Sequence, residues 1–304
     1  MKESGTVNYL KLLEKGELAH RAALLKELLE PCLLCPRECG ALRISGERGE
    51  CGAGKEIEIS SFGPHYGEEG PLVGRGGSGT IFFAFCNLRC VFCQNYEISR
   101  GKHKYSVTTA ELAEIMLGLQ RRGCVNINFV TPTHFTPQIV EALLVAAEKG
   151  LQLPLVYNCG GYERVETLRL LQGIVDIYMP DLKYAGEEIA HKYSGVTAYP
   201  LIMKEAVREM QRQVGELKLD RDGVAVRGLL IRHLVLPGNL GGTAELMEFI
   251  ARELSPRSWI NVMEQYHPVY HASRYPEINR RITRKEFLEA LTVTKNISPE
   301  FKLL

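Results

Sequence analysis

Residues 80–95 read TIFFAFCNLRCVFCQN. An apolar run rich in aromatic and β-branched residues, Thr80–Phe85, leads at once into Cys86, Cys90 and Cys93, three thiols within eight residues. The run reads as a buried strand. The C-x3-C-x2-C spacing therefore places three thiols in the turn at a strand's C-terminal end.

Downstream the pattern repeats. Strand-like stretches at Val125–Thr131, Leu153–Asn158, Val175–Asp181, Leu229–Leu236 and Trp259–Gln265 follow the first. Between them lie amphipathic, helix-like stretches at Thr109–Arg122, Pro137–Lys149, Arg164–Leu171, Pro200–Val214 and Ala244–Leu254. Thr108, Thr136 and Thr243 stand where N-caps are expected. Six strand–helix alternations predict a parallel sheet with right-handed crossovers. Six units are too few for a closed eight-fold barrel. The expected fold class is α/β, a partial (β/α)6 barrel with its functional groups at the C-terminal strand ends.

Upstream, leucines and alanines at helical spacing predict a helix from Val7 to Leu29, ended by Pro31. Cys32 to Lys55 is a compact, Gly-containing segment without period, and Phe62 to Gly79, including GRGGSG, reads as loop. The expected organisation is an N-terminal helix and cysteine-rich metal-binding segment (1–56), the partial barrel (57–270) and a helical tail (271–304).

A net charge of +1 gives no global pull toward nucleic acid or an anionic membrane. The charged N-terminus lacks a signal-like apolar stretch and no run is long enough to span a bilayer, so the cytoplasm is the expected compartment. Nine cysteines are many for a reducing compartment, and seven of them fall between Cys32 and Cys93. Clustered thiols in that setting point to metal.

Three thiolates can hold a four-iron cubane while leaving one iron open to another ligand. Phe82, Phe83, Phe85 and Phe92 would limit water there and influence the potential. The second group, Cys32, Cys35, Cys39 and Cys51, is spaced C-x2-C-x3-C-x11-C, with Pro36, Gly40, Gly52 and Gly54 supplying turns. Structural zinc and an auxiliary iron–sulfur cluster both fit it. Cys124 reads as a packed small hydrophobe. Cys159 lies within YNCGGY. His65, Glu68 and Glu69 precede the first strand, in a loop expected at the barrel mouth or in solvent.

Taken in order, these motifs resemble the radical S-adenosylmethionine superfamily, and within it relatives of the pyruvate formate-lyase activating enzyme, over about Ser60 to Pro268. YNCGGY (Tyr157–Tyr162) is similar to the family's third-strand segment and YMPDLKY (Tyr178–Tyr184) to its fourth-strand D-x-K. RHLVLPG (Arg232–Gly238) resembles the arginine-bearing fifth strand, and EQYHP (Glu264–Pro268) the sixth-strand end. The resemblance implies a [4Fe–4S] cluster on Cys86, Cys90 and Cys93 and S-adenosylmethionine as cofactor, with Lys183 and Arg232 at its carboxylate. Asp181 would position Lys183 or, with Asn158, form a polar floor able to hold a monovalent cation. Where the family has Gly-Gly-Glu after the second strand, this chain has FVTPTHF, which puts Thr133 and His134 at the cofactor's amino group. The implied activity is of oxidoreductase type: reductive cleavage to a 5′-deoxyadenosyl radical, which abstracts hydrogen from a substrate. A glycyl-radical partner protein, a small molecule or another polymer, and a non-catalytic redox role all remain open. The implied partners are a flavodoxin- or ferredoxin-like reductant and a protein substrate.

Overall fold

The computed structural model describes residues 7–304. The six apolar runs form six parallel strands, paired in chain order. They are β2 (Ser78–Phe83), β4 (Ile127–Val130), β5 (Leu155–Cys159), β6 (Ile177–Pro180), β8 (Ala225–Leu234) and β9 (Trp259–Met263). Helices α5 (Thr109–Arg121), α6 (Thr136–Glu148), α7 (Val165–Leu170), α9 (Tyr199–Val214) and α10 (Thr243–Phe249) follow the strands as the alternation requires, with α8 (Glu187–Ser194) added before α9. The sheet does not close on itself. It is the open, mostly parallel α/β barrel that the rhythm predicts.

Four short strands lie outside that rhythm. β1 (Ile57–His65) pairs antiparallel with β2 and with β3 (Tyr105–Val107), β7 (Lys218–Leu219) pairs with β8, and β10 (Lys302–Leu303) runs parallel to β9. The expected loop from Phe62 to Gly79 is therefore corrected: it holds the end of β1, the short α3 (Gly70–Val73) and the start of β2. Gly76 and Gly79 serve close approach to backbone. A Cβ on Gly76 would stand 1.7 Å from the Gly123 carbonyl oxygen.

The expected N-terminal helix is two, α1 (Asn8–Glu14) and α2 (Glu17–Glu27), broken where Gly16 turns left-handed at φ 71°. Residues 1–6 of the expected first unit, with the start of the charged N-terminus, lie outside the described residues. Thr108 caps α5 in a capping box with Glu111. Thr136 and Thr243 do not cap: each is the first residue inside its helix, Thr136 bonding the Pro132 and Thr133 carbonyls and Thr243 bonding His233. The last turns of the Ala244–Leu254 stretch widen to a π-helix over Ile250–Leu254. A second capping box, Thr283 with Glu286, starts α11 (Arg284–Ile297). No described helix is long and apolar enough to cross a membrane.

Inward-facing Val156, Ile177, Met179, Ala225 and Leu230 pack with Leu72 of α3, which plugs the barrel at the N-terminal strand ends. Asn126 fixes the plug, donating to the Leu72 carbonyl at 2.8 Å and accepting from Ser78 at 2.7 Å. The opposite end, where β2 runs into the cysteines and α4 (Tyr96–Ser99), stays free for chemistry.

Asp176 is buried just before β6 and accepts the Leu155 N–H at 3.0 Å. Burial pushes its carboxyl up to about 7. The fold thus holds a proton that the unfolded chain releases near its ordinary value of 3.8. This contribution is fully present below that value and is lost as pH rises through 7, at about 1.4 kcal/mol per unit of separation. Thermal unfolding from pH 5 to 8 should therefore show Asp176→Asn gaining on the wild type as pH rises. Parallel curves would contradict the assignment.

Candidate active site

The site is built at the C-terminal ends of the parallel strands. β2 passes through Phe85, held at φ 72°, into the Cys86–Cys93 loop. A left-handed phenylalanine is strained and persists only where its surroundings over-determine it. Here its ring lies against Gly52 and Gly101, with the Arg48 and Lys104 cations over its face. The loop is tied down by its backbone: Arg89 N–H to Ser194, Val91 N–H to Tyr193 and His271 N–H to Val91. Cys86 Sγ accepts the Leu88 N–H at 3.3 Å, Cys93 Sγ accepts from the Ser99 hydroxyl at 3.4 Å, and Cys90 Sγ lies 3.0 Å from the Ser194 hydroxyl.

All three thiols line one cavity of about 230 Å³, together with Phe82, Phe83, Phe85 and Phe92. Burial, then the neighbouring Cys90, pushes the Cys86 thiol up to about 12. A bare thiol in that state is neutral, so loading with metal must drive its proton off. Among the described residues no three His, Cys, Asp or Glu side chains stand at the spacing of a bound metal ion, so neither cysteine group is a closed coordination sphere. Both are defined by shared position.

Across the cavity the strand ends supply a charged network. Asp181, just past β6, accepts from Lys183 Nζ at 2.7 Å on one oxygen and from Arg232 Nε at 2.7 Å on the other. Arg232 of β8 also donates to Asn158 of β5 at 2.7 Å. Burial alone would raise the Asp181 carboxyl, but the Arg232 and Lys183 charges overcome it and hold it below the ordinary range. Burial would lower Lys183 and Arg232, and Asp181 reverses the shift, so both stay cationic. The Tyr199 hydroxyl accepts the Lys183 N–H at 3.0 Å and stands 2.9 and 3.0 Å from the Gly160 and Asp181 carbonyls, locking the D-x-K turn.

The structure brings Cys86, Cys90, Cys93, Asn158, Asp181, Lys183 and Arg232 together around this cavity, and Cys159 joins them. It does not bring Thr133 and His134 there. The end of β4 offers Val130 and Thr131 instead, Thr131 at φ 57°. That left-handed turn swings the following short 3-10 turn, Thr133–Phe135, into the wall. Thr133 donates to the buried Glu163 at 2.7 Å, and His134 Nε2 donates to the Ala84 carbonyl at 2.7 Å. Burial pushes His134 down to about 3, so it is a neutral wall residue.

Of the two positions expected for His65, Glu68 and Glu69, the barrel mouth is corrected, while His65 is exposed to solvent. Because β1 is antiparallel, His65 pairs with Ser78 and the loop lies at the N-terminal end of the barrel. From there Glu69 reaches up the interior, accepting from Asn261 at 3.0 Å and lying 3.7 Å from Arg232. It braces Arg232 from below. Nothing in the sequence spacing marks Glu69 or Tyr199, since each acts across more than fifteen residues.

The second cysteine group packs against the same loop. Cys32 and Cys35 are buried, Cys39 and Cys51 half-buried. A Cβ on Gly49 would meet both Cys39 and Cys51 sulfurs at 3.4 Å. Arg43, fully buried, donates to the Gly54 and His134 carbonyls and points one nitrogen at Cys32 Sγ, 3.9 Å away. Arg37 donates to the Asn87 carbonyl, and Arg89 to the Glu50 carbonyl at 2.8 Å. Cys124 is buried away from both groups, a packing residue.

Residues 80–219 match the family model of the Radical SAM superfamily. Two uncharacterized proteins of Methanocaldococcus jannaschii are similar along nearly the whole chain. One is 33% identical over 95% of this chain and 81% of its own length, the other 23% identical over 92% and 82%. Among solved structures, a radical SAM methyltransferase from Sphaerobacter thermophilus shares the fold with a TM-score of 0.51 at 13% identity, over 75% of this chain. HydG, a maturase of the FeFe-hydrogenase, does so at 0.50 and 14%, over 72%. The chain spans 66% and 48% of those two proteins, so the likeness carries the fold alone. With the family match lying on the strands and loop that build the cavity, this chain belongs to the radical SAM superfamily, whose members are enzymes built on a [4Fe–4S] cluster and S-adenosylmethionine.

Proposed function

We propose that Cys86, Cys90 and Cys93 hold the cluster, that Lys183 and Arg232 bind the carboxylate end of S-adenosylmethionine, and that the substrate is a partner protein. The observation that carries the reading is the convergence of three thiols and the Asp181–Lys183–Arg232 network on one cavity. The donor set fits: three sulfurs with hydrogen-bonded, anchored backbone, facing two cations. Such a cluster, when reduced, supplies the electron that splits a carbon–sulfur bond of S-adenosylmethionine, giving methionine and the hydrogen-abstracting 5′-deoxyadenosyl radical.

The chain's own residues do the rest. Leu88 N–H and the Ser99 hydroxyl stabilise thiolate charge on Cys86 and Cys93. Asp181 divides its two oxygens between Lys183 and Arg232, and Glu69 stands 3.7 Å from Arg232, so both cations are held in place for an incoming carboxylate. Asn158 and Glu69 fix the angle of Arg232, and Tyr199 fixes that of Lys183. Phe92, edge-on to Tyr184, Tyr193 and Tyr266, keeps the thiol loop dry. The choice of a protein substrate, with a glycyl-radical enzyme first in line, rests on the resemblance of the motif series to activating enzymes. A protein substrate's labelled glycine should pass deuterium to 5′-deoxyadenosine. Transfer only from small molecules of a labelled extract would overturn that choice.

Replacing Cys86, Cys90 or Cys93 by Ala should abolish 5′-deoxyadenosine formation with dithionite as reductant, and cleavage retained in all three variants would sink the site. Lys183→Ala and Arg232→Ala should keep the cluster's iron yet weaken S-adenosylmethionine binding about tenfold or more, the worth of a charge-assisted bond. Equilibrium binding as tight as the wild type in both would show that the carboxylate lies elsewhere. Asp181→Asn strands two neighbouring cations. It should cost about 3 kcal/mol in urea unfolding of the metal-free protein, and an unchanged midpoint would rule out the shared-charge account.

A further inference from the structure

The reading above leaves four thiols, a buried arginine and a strained phenylalanine unused. We propose, resting on that reading, that Cys32, Cys35, Cys39 and Cys51 hold an iron–sulfur cluster that relays electrons to the Cys86–Cys93 site across Phe85.

Donors reach sulfurs of both cysteine groups. Cys86 accepts the Leu88 N–H at 3.3 Å and Cys93 the Ser99 hydroxyl at 3.4 Å, while an Arg43 nitrogen stands 3.9 Å from Cys32 Sγ. Such contacts spread charge from a thiolate sulfur and tune a cluster's potential. Arg43 adds a permanent positive charge beside Cys32, which favours the more negative, reduced state.

Placement separates a relay from a structural metal. Structural zinc needs only a closed shell of ligands and works anywhere in a fold. This group is instead fastened to the radical loop at two points, Arg37 to Asn87 and Arg89 to Glu50. Cys51 is joined to Gly52, Gly52 meets the Phe85 ring, and Phe85 is joined to Cys86. A Cβ on Gly52 would stand 2.6 Å from that ring, so only glycine admits the contact. Arg48 and Lys104, both paired with Glu58, hold the ring in place. Cys39 and Cys51 are half-buried, nearer the surface than Cys32 and Cys35.

The transfer balances simply. One electron leaves a reduced donor of flavodoxin or ferredoxin type, enters the outer cluster, and passes to the inner one. It is consumed in carbon–sulfur cleavage, and no proton moves.

The test has two arms. The first is metal analysis of the Cys86/Cys90/Cys93→Ala triple variant, purified anaerobically. Iron and acid-labile sulfide in equal amounts are expected; zinc without sulfide, or no metal in folded protein, overturns the proposal. The second compares reductants in the full chain, reading 5′-deoxyadenosine driven by reduced flavodoxin against that driven by dithionite, a small ion able to reach the inner site directly. In Cys39→Ser/Cys51→Ser the flavodoxin-driven share should be lost, and in Phe85→Leu it should fall several-fold. An unchanged ratio in both variants overturns the relay. Failure of dithionite itself in the wild type would strike at the radical site instead, so the two readings fail separately.

Discussion

One carboxylate, Asp181, carries two half-buried cations, and the top of the barrel is arranged around that fact. Taking three charges out of water is tolerable only if each keeps its hydrogen bonds. Lys183 sits two residues from Asp181, so the turn after β6 has to hold both side chains on one face, which the Tyr199 hydroxyl does from α9. Arg232 comes from the neighbouring strand, and the backbone bridge between Asp181 and Arg232 sets the register of β8 against the end of β6. Asn158 then supplies a further acceptor from β5, and Glu69 adds its charge from below at 3.7 Å. Four separate parts of the chain are thereby bound to one ionic centre.

That centre faces the thiols across a small cavity, and the two halves need each other electrically. The Cys86 and Cys93 thiols are neutral while bare, because burial raises them. A metal held there would drive their protons off and set negative charge opposite Lys183 and Arg232, where attraction in low dielectric is strong. Phe82, Phe83, Phe85 and Phe92 line the space between them and limit water there.

The parallel core was legible because it is written in local pattern. β-Branched and aromatic runs at regular intervals, with amphipathic stretches between, admit few other folds. Thiol spacing, D-x-K and the arginine-bearing strand were legible for the same reason. Glycine-rich β1–β2 was not, since Gly76 and Gly79 read as loop while serving close backbone contact. The helix break at Gly16 and the glycine N-cap of α10 were hidden by periodic neighbours. Thr133 and His134 were misplaced because the left-handed Thr131 redirects the chain just before them, a property no residue type announces. Glu69 and Tyr199 depend wholly on distant partners.

Cys86, Cys90 and Cys93 would hold the cluster, and Lys183 and Arg232 would hold S-adenosylmethionine against it. The most direct measurement is the electron paramagnetic resonance spectrum of the dithionite-reduced protein before and after that cofactor is added. An S = 1/2 signal that changes shape on addition is expected, because the two groups would share one cavity. A cluster signal from these thiols that is indifferent to the cofactor, or none in folded, iron-loaded protein, would contradict that assignment.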